Sequence, residues 1–188
     1  MDVGFTAWKA NATTNWLQNV AASGTFTCPA ELPDTRGANN IPVDWTVAHP
    51  AVAALRFDIL ADDTTIDLVD DSGTLETPDL EFSVDDGTTW TQWVPGSDYP
   101  HEMAGAVVYV RAGATGNTGF GTGSEDPYWH FTSDDLFSVS GNIMYLLSRD
   151  GSTGVSNYCF FGLFQGCTML VDASGLELPA TTLANSCY

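Results

Sequence analysis

Six short runs crowd the middle of the chain: RFDIL, TIDLV, LEFSV, TWTQWV, AVVYVRA and YWHFT, all between residues 56 and 140. Each is rich in β-branched or aromatic residues, and clusters of Gly, Pro, Asp or Ser separate them. Several alternate apolar and polar positions, as Val108 and Val110 do against Tyr109 and Arg111. Runs this short leave no room for a helical stripe, while alternation suits strands with one buried face. The spacing predicts a mainly β fold, an antiparallel, Ig-like β-sandwich.

The flanks read differently. Within residues 1–50, TTNWLQNVAASG places Trp16, Leu17 and Val20 on one helical face with Gly24 as a stop. GTFTCPAELPDTRGANNIPVDWTVAHP follows, interrupted by Pro29, Pro33, Pro42 and Pro50, and predicts a strand and an extended connection. At the other end, NYCFFGLFQGC sets Cys159, Leu163 and Cys167 on one stripe that Phe160 and Phe164 widen, the pattern of a buried helical face. TMLVDASGLELP then turns to a short strand ending at Pro179. A helix followed by a strand is half of a solenoid coil.

An internal echo supports that reading: Asn157 and Cys159-Phe160 recur as Asn185 and Cys187-Tyr188, an offset within the range of leucine-rich repeats. Three parts result: an N-terminal segment (1–50), a sandwich domain (51–140), and the start of a repeat array (141–188), with one repeat and the beginning of a second. One coil cannot bury its own face. The repeat face, expected at Cys159, Phe160, Phe164, Cys167, Leu178 and Leu183, therefore calls for a neighbour.

Charge removes whole classes of partner. Five basic residues, Lys9, Arg36, Arg56, Arg111 and Arg149, stand against 24 acidic ones, a net charge of -19. Such a surface repels nucleic-acid phosphate and anionic lipid. No apolar run is long enough for a membrane-spanning helix, so membrane insertion is not expected. The opening MDVGFTAWKA lacks the basic start and apolar stretch of a secretory signal. This fits a virion component released by lysis or an excised mature segment.

Cysteines stand at 28, 159, 167 and 187. On a helix, Cys159 and Cys167 would lie about 12 Å apart along the axis, too far for a disulfide. With no CxxC pair and no histidine cluster, free thiols and no zinc are expected.

Candidate chemistry is sparse. Ser83-Val84-Asp85-Asp86-Gly87-Thr88-Thr89-Trp90 fits the S-x-D-x-G-x-T-W Asp-box pattern familiar from sialidases, where the box is a structural hairpin away from catalysis. Here Asp85 is expected to accept turn amides, Gly87 to take a positive φ, and Trp90 to pack beneath the turn. Acidic clusters at Asp62-Asp63, Asp67, Asp70-Asp71, Asp85-Asp86 and Asp134-Asp135 read as turn residues. None has EF-hand spacing; the stretch from Asp62 to Asp71 is the first place to look for calcium.

His49, His101 and His130 stand apart, and no G-x-S-x-G is present, so no nucleophile has an evident base. The glycine-rich GATGNTGFGTGSEDPYW lacks the following helix and lysine of a phosphate cradle, and reads as a loop available to a partner. Most aromatics belong in the core, but Trp93, Tyr99, Tyr128 and Trp129 are the candidates for a platform that meets a sugar ring or a partner. No catalytic residue, cofactor or metal ligand emerges, and the chain is read as non-enzymatic.

The stretch GNIMYLLSRDGSTGVSNYCFFGLFQGCTMLVDASGLELPATTLANSCY resembles the entry into a BspA-like leucine-rich repeat array, as found on surface proteins of gut bacteria and in their phages. TTNWLQNVAASGTFTCPAELPDTRGANNIPVDWTV resembles the segment that closes such arrays, and FSVDDGTTWTQW with VVYVRAGATG is similar to their small β capping domain. The resemblance implies a structural or adhesive surface protein, foremost a phage fibre, decoration or appendage protein. A bacterial cell-surface adhesin and a glycan-active hydrolase are the other readings. Implied partners are other copies of the chain, another virion or surface protein, and a host glycan or protein, at a virion surface or cell exterior. An array-closing segment ahead of an array-opening one implies completion by another copy or chain, or a slice of a longer protein.

Overall fold

The computed structural model describes residues 23–27, 41, 44–48, 51–96, 104–151 and 154–188. The chain divides into two compact units, Met1–Ala51 and Val52–Tyr188. In the first, β1 (Thr25–Thr27) pairs in parallel with β2 (Thr46–Ala48). The helix expected ahead of Gly24, and Cys28, lie outside the described residues.

The second unit is mainly β. Its strands are β3 (Leu55–Ile59), β4 (Ile66–Asp70), β5 (Leu80–Ser83), β6 (Thr91–Trp93), β7 (Val107–Ala112), β8 (Trp129–Ser133), β9 (Phe137–Asn142) and β10 (Leu170–Glu177). Six of them form one mixed sheet in the order β10-β9-β3-β7-β5-β6, and β4 pairs with β8 in a small second sheet. The contacts β3–β7, β3–β9, β5–β7 and β5–β6 are antiparallel.

Alternation is visible as burial. In β3, Leu55, Phe57 and Ile59 point inward while Arg56 and Asp58 between them pair with each other near the surface. Phe57 then meets Phe131 of β8 at 5.1 Å between ring centroids and Phe137 of β9 at 5.7 Å. Trp93 of β6 stacks on Phe131 at 6.1 Å, so the core lies between the large sheet and the β4–β8 pair. Removing an aromatic ring from water contributes about 1.5–3 kcal/mol, and this cluster buries several.

β10 departs from an antiparallel plan. It adds in parallel to the outer edge of β9, with two register irregularities along its length. Parallel neighbours need a crossover of a dozen residues or more, and residues 143–169 supply it. The crossover begins with a 3₁₀ turn, Ile143–Leu146, whose first turn is capped by Asn142 Oδ1 accepting the Met144 N–H at 2.8 Å.

The expected helix over NYCFFGLFQGC is absent; residues 157–166 form consecutive turns. Phe161, Leu163, Gln165 and Cys167 each donate their N–H to the carbonyl three residues back. Tyr158, Gly162 and Gly166 have positive φ, of 55°, 68° and 73°. A left-handed residue at every fourth position bends the chain out of each turn before an i→i−4 bond can form. Cys159 and Leu163 nevertheless share the buried side, since tandem four-residue turns keep the same spacing that a helical stripe uses.

Candidate functional site

The turns of 157–166 wrap into a rung, and further rungs lie on either side of it. Below, Phe120 donates its N–H to the Cys159 carbonyl at 2.8 Å, and Phe131 donates to the Leu163 carbonyl at 2.7 Å. Above, Tyr158 donates to the Asn185 carbonyl at 2.9 Å and Phe160 to the Cys187 carbonyl at 3.0 Å. Side chains follow the same ladder. Phe120, Phe160 and Tyr188 stack in sequence, at 5.9 Å and 22° and then at 5.8 Å and 3°, and Phe131 stacks on Phe164 at 5.3 Å.

The sequence echo is a physical offset. Asn157 Oδ1 accepts the N–H of Asn185 at 3.0 Å, 28 residues on. The backbone repeats as well: Tyr158 has φ 55°, and Ser186, at the matching position, has φ 49°. The glycine-rich stretch is a loop, anchored by the fully buried Phe120 and with residues 122–126 exposed.

In the segment that carries Asn185, Leu183 is 65% exposed, Leu178 49% and Tyr188 37%. Leu178 and Tyr188, with Phe160, Phe164 and Leu176, line an apolar groove of ≈ 280 Å³. Of the residues expected on the repeat face, Cys159 and Phe160 are buried, Phe164 and Cys167 are half-buried, and Leu178 and Leu183 are exposed. Cys159, Cys167 and Cys187 are free thiols. Burial pushes the Cys159 and Cys167 thiols up, away from the reactive thiolate.

The aromatic candidates separate. Trp93 and Trp129 lie in the core, Trp129 donating its indole N–H to the Glu76 carbonyl at 3.2 Å, so neither presents a face to a ligand. Tyr99 lies outside the described residues. Tyr128 is half-buried and joins a strip that sequence reading missed: His130 at 6.0 Å, Phe161 at 5.5 Å, and Tyr158 at 5.5 Å from Phe161. Tyr128 and His130 alternate with the buried Trp129 and Phe131, and Tyr158 and Phe161 flank the buried pair Cys159 and Phe160. That pattern is the available signal for them.

The carboxylates serve the turns. Asp85 Oδ1 accepts the Thr89 N–H at 2.9 Å and the Ser83 hydroxyl at 2.7 Å, and Oδ2 accepts the Thr89 hydroxyl at 2.7 Å. Gly87 takes φ 79°, and the Trp90 indole N–H donates back to the Gly87 carbonyl at 2.9 Å. The Thr89 bonds hold the Asp85 carboxyl below its usual range. Asp79 is likewise lowered, first by the Thr115 hydroxyl and then by its amide.

Within the stretch considered for calcium, Asp62 accepts the Ala104 N–H at 3.0 Å, and Asp67 accepts the Gly96 N–H at 3.0 Å. Asp70 accepts the amides of Ser72, Thr74 and Leu75. No cluster of metal-ligating side chains occurs among the described residues. His130 has an aromatic neighbour, while His49 and His101 lie outside the described residues. No helix among the described residues is long and apolar enough to cross a membrane.

One further cluster sits on the large sheet. Glu81 receives Arg111 at 3.2 Å and Arg149 at 2.5 Å, and Arg111 lies 3.6 Å over the Trp90 ring. The guanidinium covers the tryptophan face that a sugar would otherwise use. No family model, curated protein or solved structure matches this chain.

Proposed function

We propose that this chain is a non-enzymatic structural or adhesion protein on an exterior surface, foremost a phage fibre, decoration or appendage protein that mediates assembly or host attachment. The observation that carries the reading is the stacked coil: Asn157 Oδ1 accepts the Asn185 N–H 28 residues on, and Phe120, Phe160 and Tyr188 stack in file. Stacked repeats build extended surfaces that serve binding and assembly in place of a catalytic cleft. We read the coil as the start of a leucine-rich repeat array and the two facing sheets as its Ig-like sandwich cap. The resemblance to surface arrays of gut bacteria and their phages supports the exterior location.

A bacterial cell-surface adhesin of the BspA-like type rests on the same coil. The strip of Tyr128, His130, Phe161 and Tyr158 supports attachment to a host glycan or protein, because half-exposed rings with polar tips suit both. A glycan hydrolase needs two carboxyl groups free to flank the scissile bond. Asp70, Asp79 and Asp85 are engaged by turn amides and hydroxyls instead.

The test is a glycan array read for retention and for product. Retention without turnover, together with antibody labelling of intact particles, supports the reading. Measured hydrolysis that scales with protein concentration sinks it, and labelling of cell envelopes in place of particles transfers it to the adhesin.

A further inference from the structure

Two buried thiols face each other across the rungs. Tyr158 donates its N–H to the Asn185 carbonyl at 2.9 Å, and Phe160 donates to the Cys187 carbonyl at 3.0 Å. Donors at alternate positions meeting acceptors at alternate positions form the slanted pattern of parallel neighbours, which sets Asn157 opposite Asn185 and Cys159 opposite Cys187. The bond from the Asn185 N–H to Asn157 Oδ1 keeps the same register. Backbones paired in this way run about 4.8 Å apart, inside the Cα separation of roughly 4.4–6.8 Å that a disulfide spans.

Direction matches as well as distance. The residue ahead of each cysteine has a left-handed φ, 55° at Tyr158 and 49° at Ser186, so the two rungs turn alike before it. Directly after the cysteines, the rings of Phe160 and Tyr188 stack within 3° of parallel. Both cysteines point inward, Cys159 being 1% exposed and Cys187 4%. Burial is the main cause that pushes the Cys159 thiol up, and Cys187 beside it adds to the rise. Cys159 Sγ reaches the Thr118 carbonyl at 3.8 Å, a weak bond that holds the sulfur only lightly.

We propose that Cys159 and Cys187 form a disulfide that staples one rung of the coil to the next when the protein meets a disulfide oxidant such as glutathione disulfide. One cysteine thiolate attacks a sulfur of the oxidant, breaking its S–S bond and releasing one thiol. The second cysteine attacks the resulting mixed disulfide and releases the other. The two cysteine protons end on the two released thiols, and the two electrons lost by the pair are gained by the oxidant. Both sulfurs are buried, so exchange takes place as the two rungs part, and it is faster at alkaline pH where thiolate forms. The bond spans the 28-residue offset that Asn157 and Asn185 otherwise hold through hydrogen bonds. It separates a reduced form inside a cell from a stapled form in an oxidising exterior. This goes beyond the surface role and applies to a virion protein and an adhesin alike.

The full chain is incubated with glutathione disulfide at about pH 8, free thiols are blocked, and the cross-link is mapped by mass spectrometry of peptides. Expected is a Cys159–Cys187 link as the main product. The melting temperature rises by about 5–10 °C, as a closed loop of this length predicts, and dithiothreitol reverses the rise. Cys167→Ser keeps both link and rise, whereas Cys187→Ser loses both. Each variant is compared with and without oxidant, so a lower starting stability does not hide the answer. A main product through Cys28 or Cys167 overturns the proposal. So do thiols at 159 and 187 that stay reduced in the folded chain while the urea-unfolded chain oxidises, or a link that leaves the melting temperature unchanged or lower. Glycan turnover bears on the surface role alone, so the two readings fail separately.

Discussion

Two aromatic clusters in one compact unit use the same chemistry to different ends. Phe57, Phe131, Phe137 and Trp93 come from four different strands, β3, β8, β9 and β6, and are enclosed between two sheets. Phe120, Phe160 and Tyr188 form a single file, enclosed below and around but half-open at the last ring. The first cluster fills the space between the sheets; the second runs in file, with Tyr188 28 residues after Phe160 and half-exposed. A closed core resists change from every side, while a stack is only as protected as its final layer.

The largest expected effect tests that difference directly. Phe57→Ala removes a fully buried ring with two aromatic neighbours and is expected to cost about 3–5 kcal/mol by urea denaturation. Phe160→Ala empties a place in the stack whose upper neighbour is part-exposed, and roughly 2–3 kcal/mol is expected because the terminal rung can relax into the gap. If the two losses are equal, or their order is reversed, the coil is as closed as the sheet and the comparison fails.

Gly162→Ala sharpens the boundary between rung and strip. Gly162 sits at φ 68°, and a Cβ there would strike the Tyr128 ring. About 1–3 kcal/mol of strain is expected, with the Tyr128 and Phe161 ring resonances moving while those of Phe57 and Phe137 stay. An unmoved Tyr128 resonance would mean that the ring and the turn are not in contact in solution.

Local alternation made much of the sheet legible. All six short runs between residues 56 and 140 form strands, β3 to β8, because burial on one face imposes a period of two that is visible within five residues. What that period does not carry is which strand lies beside which, and so the joining of β9 and β10 in parallel went unread. β9, FSVSGN, also lacks the dense β-branched residues that mark its neighbours. The offset between Asn157 and Asn185 was legible and the turns that follow Asn157 were misread as a helix, since spacing of four describes tandem turns equally well until the glycines at 162 and 166 are given their positive φ. Trp93 and Trp129 looked available because alternation names two faces without saying which is inside.

The smallest effect concerns acid, and it should divide the same two regions. Asp70 ends β4, and Asp79 and Asp85 lie in connections beside the large sheet; on the coil side, Asp172 on β10 is lowered by its Ser174 bonds. Burial works against ionisation at Asp70, but its bonds to Ser72, Leu75 and Thr74 outweigh it. A carboxyl held below its unfolded value, about 3.9 for Asp, binds fewer protons folded than unfolded, so its stabilisation is full above that value. It is lost as pH falls through the lower, folded one. The melting temperature is therefore expected to hold from pH 7 to about pH 5 and decline below about pH 4. Asp85→Asn, which keeps the shape of the Asp-box turn and removes one charge, should lower the unfolding free energy at pH 7 by about 1 kcal/mol and flatten the decline in melting temperature. Asp172→Asn should change neither measurably, because its bonds lie on an exposed edge where solvent screens them. An Asp172 variant that flattened the acid limb as much as the Asp85 variant would place acid unfolding in the coil, and the sheet would then be the more tolerant of the two regions.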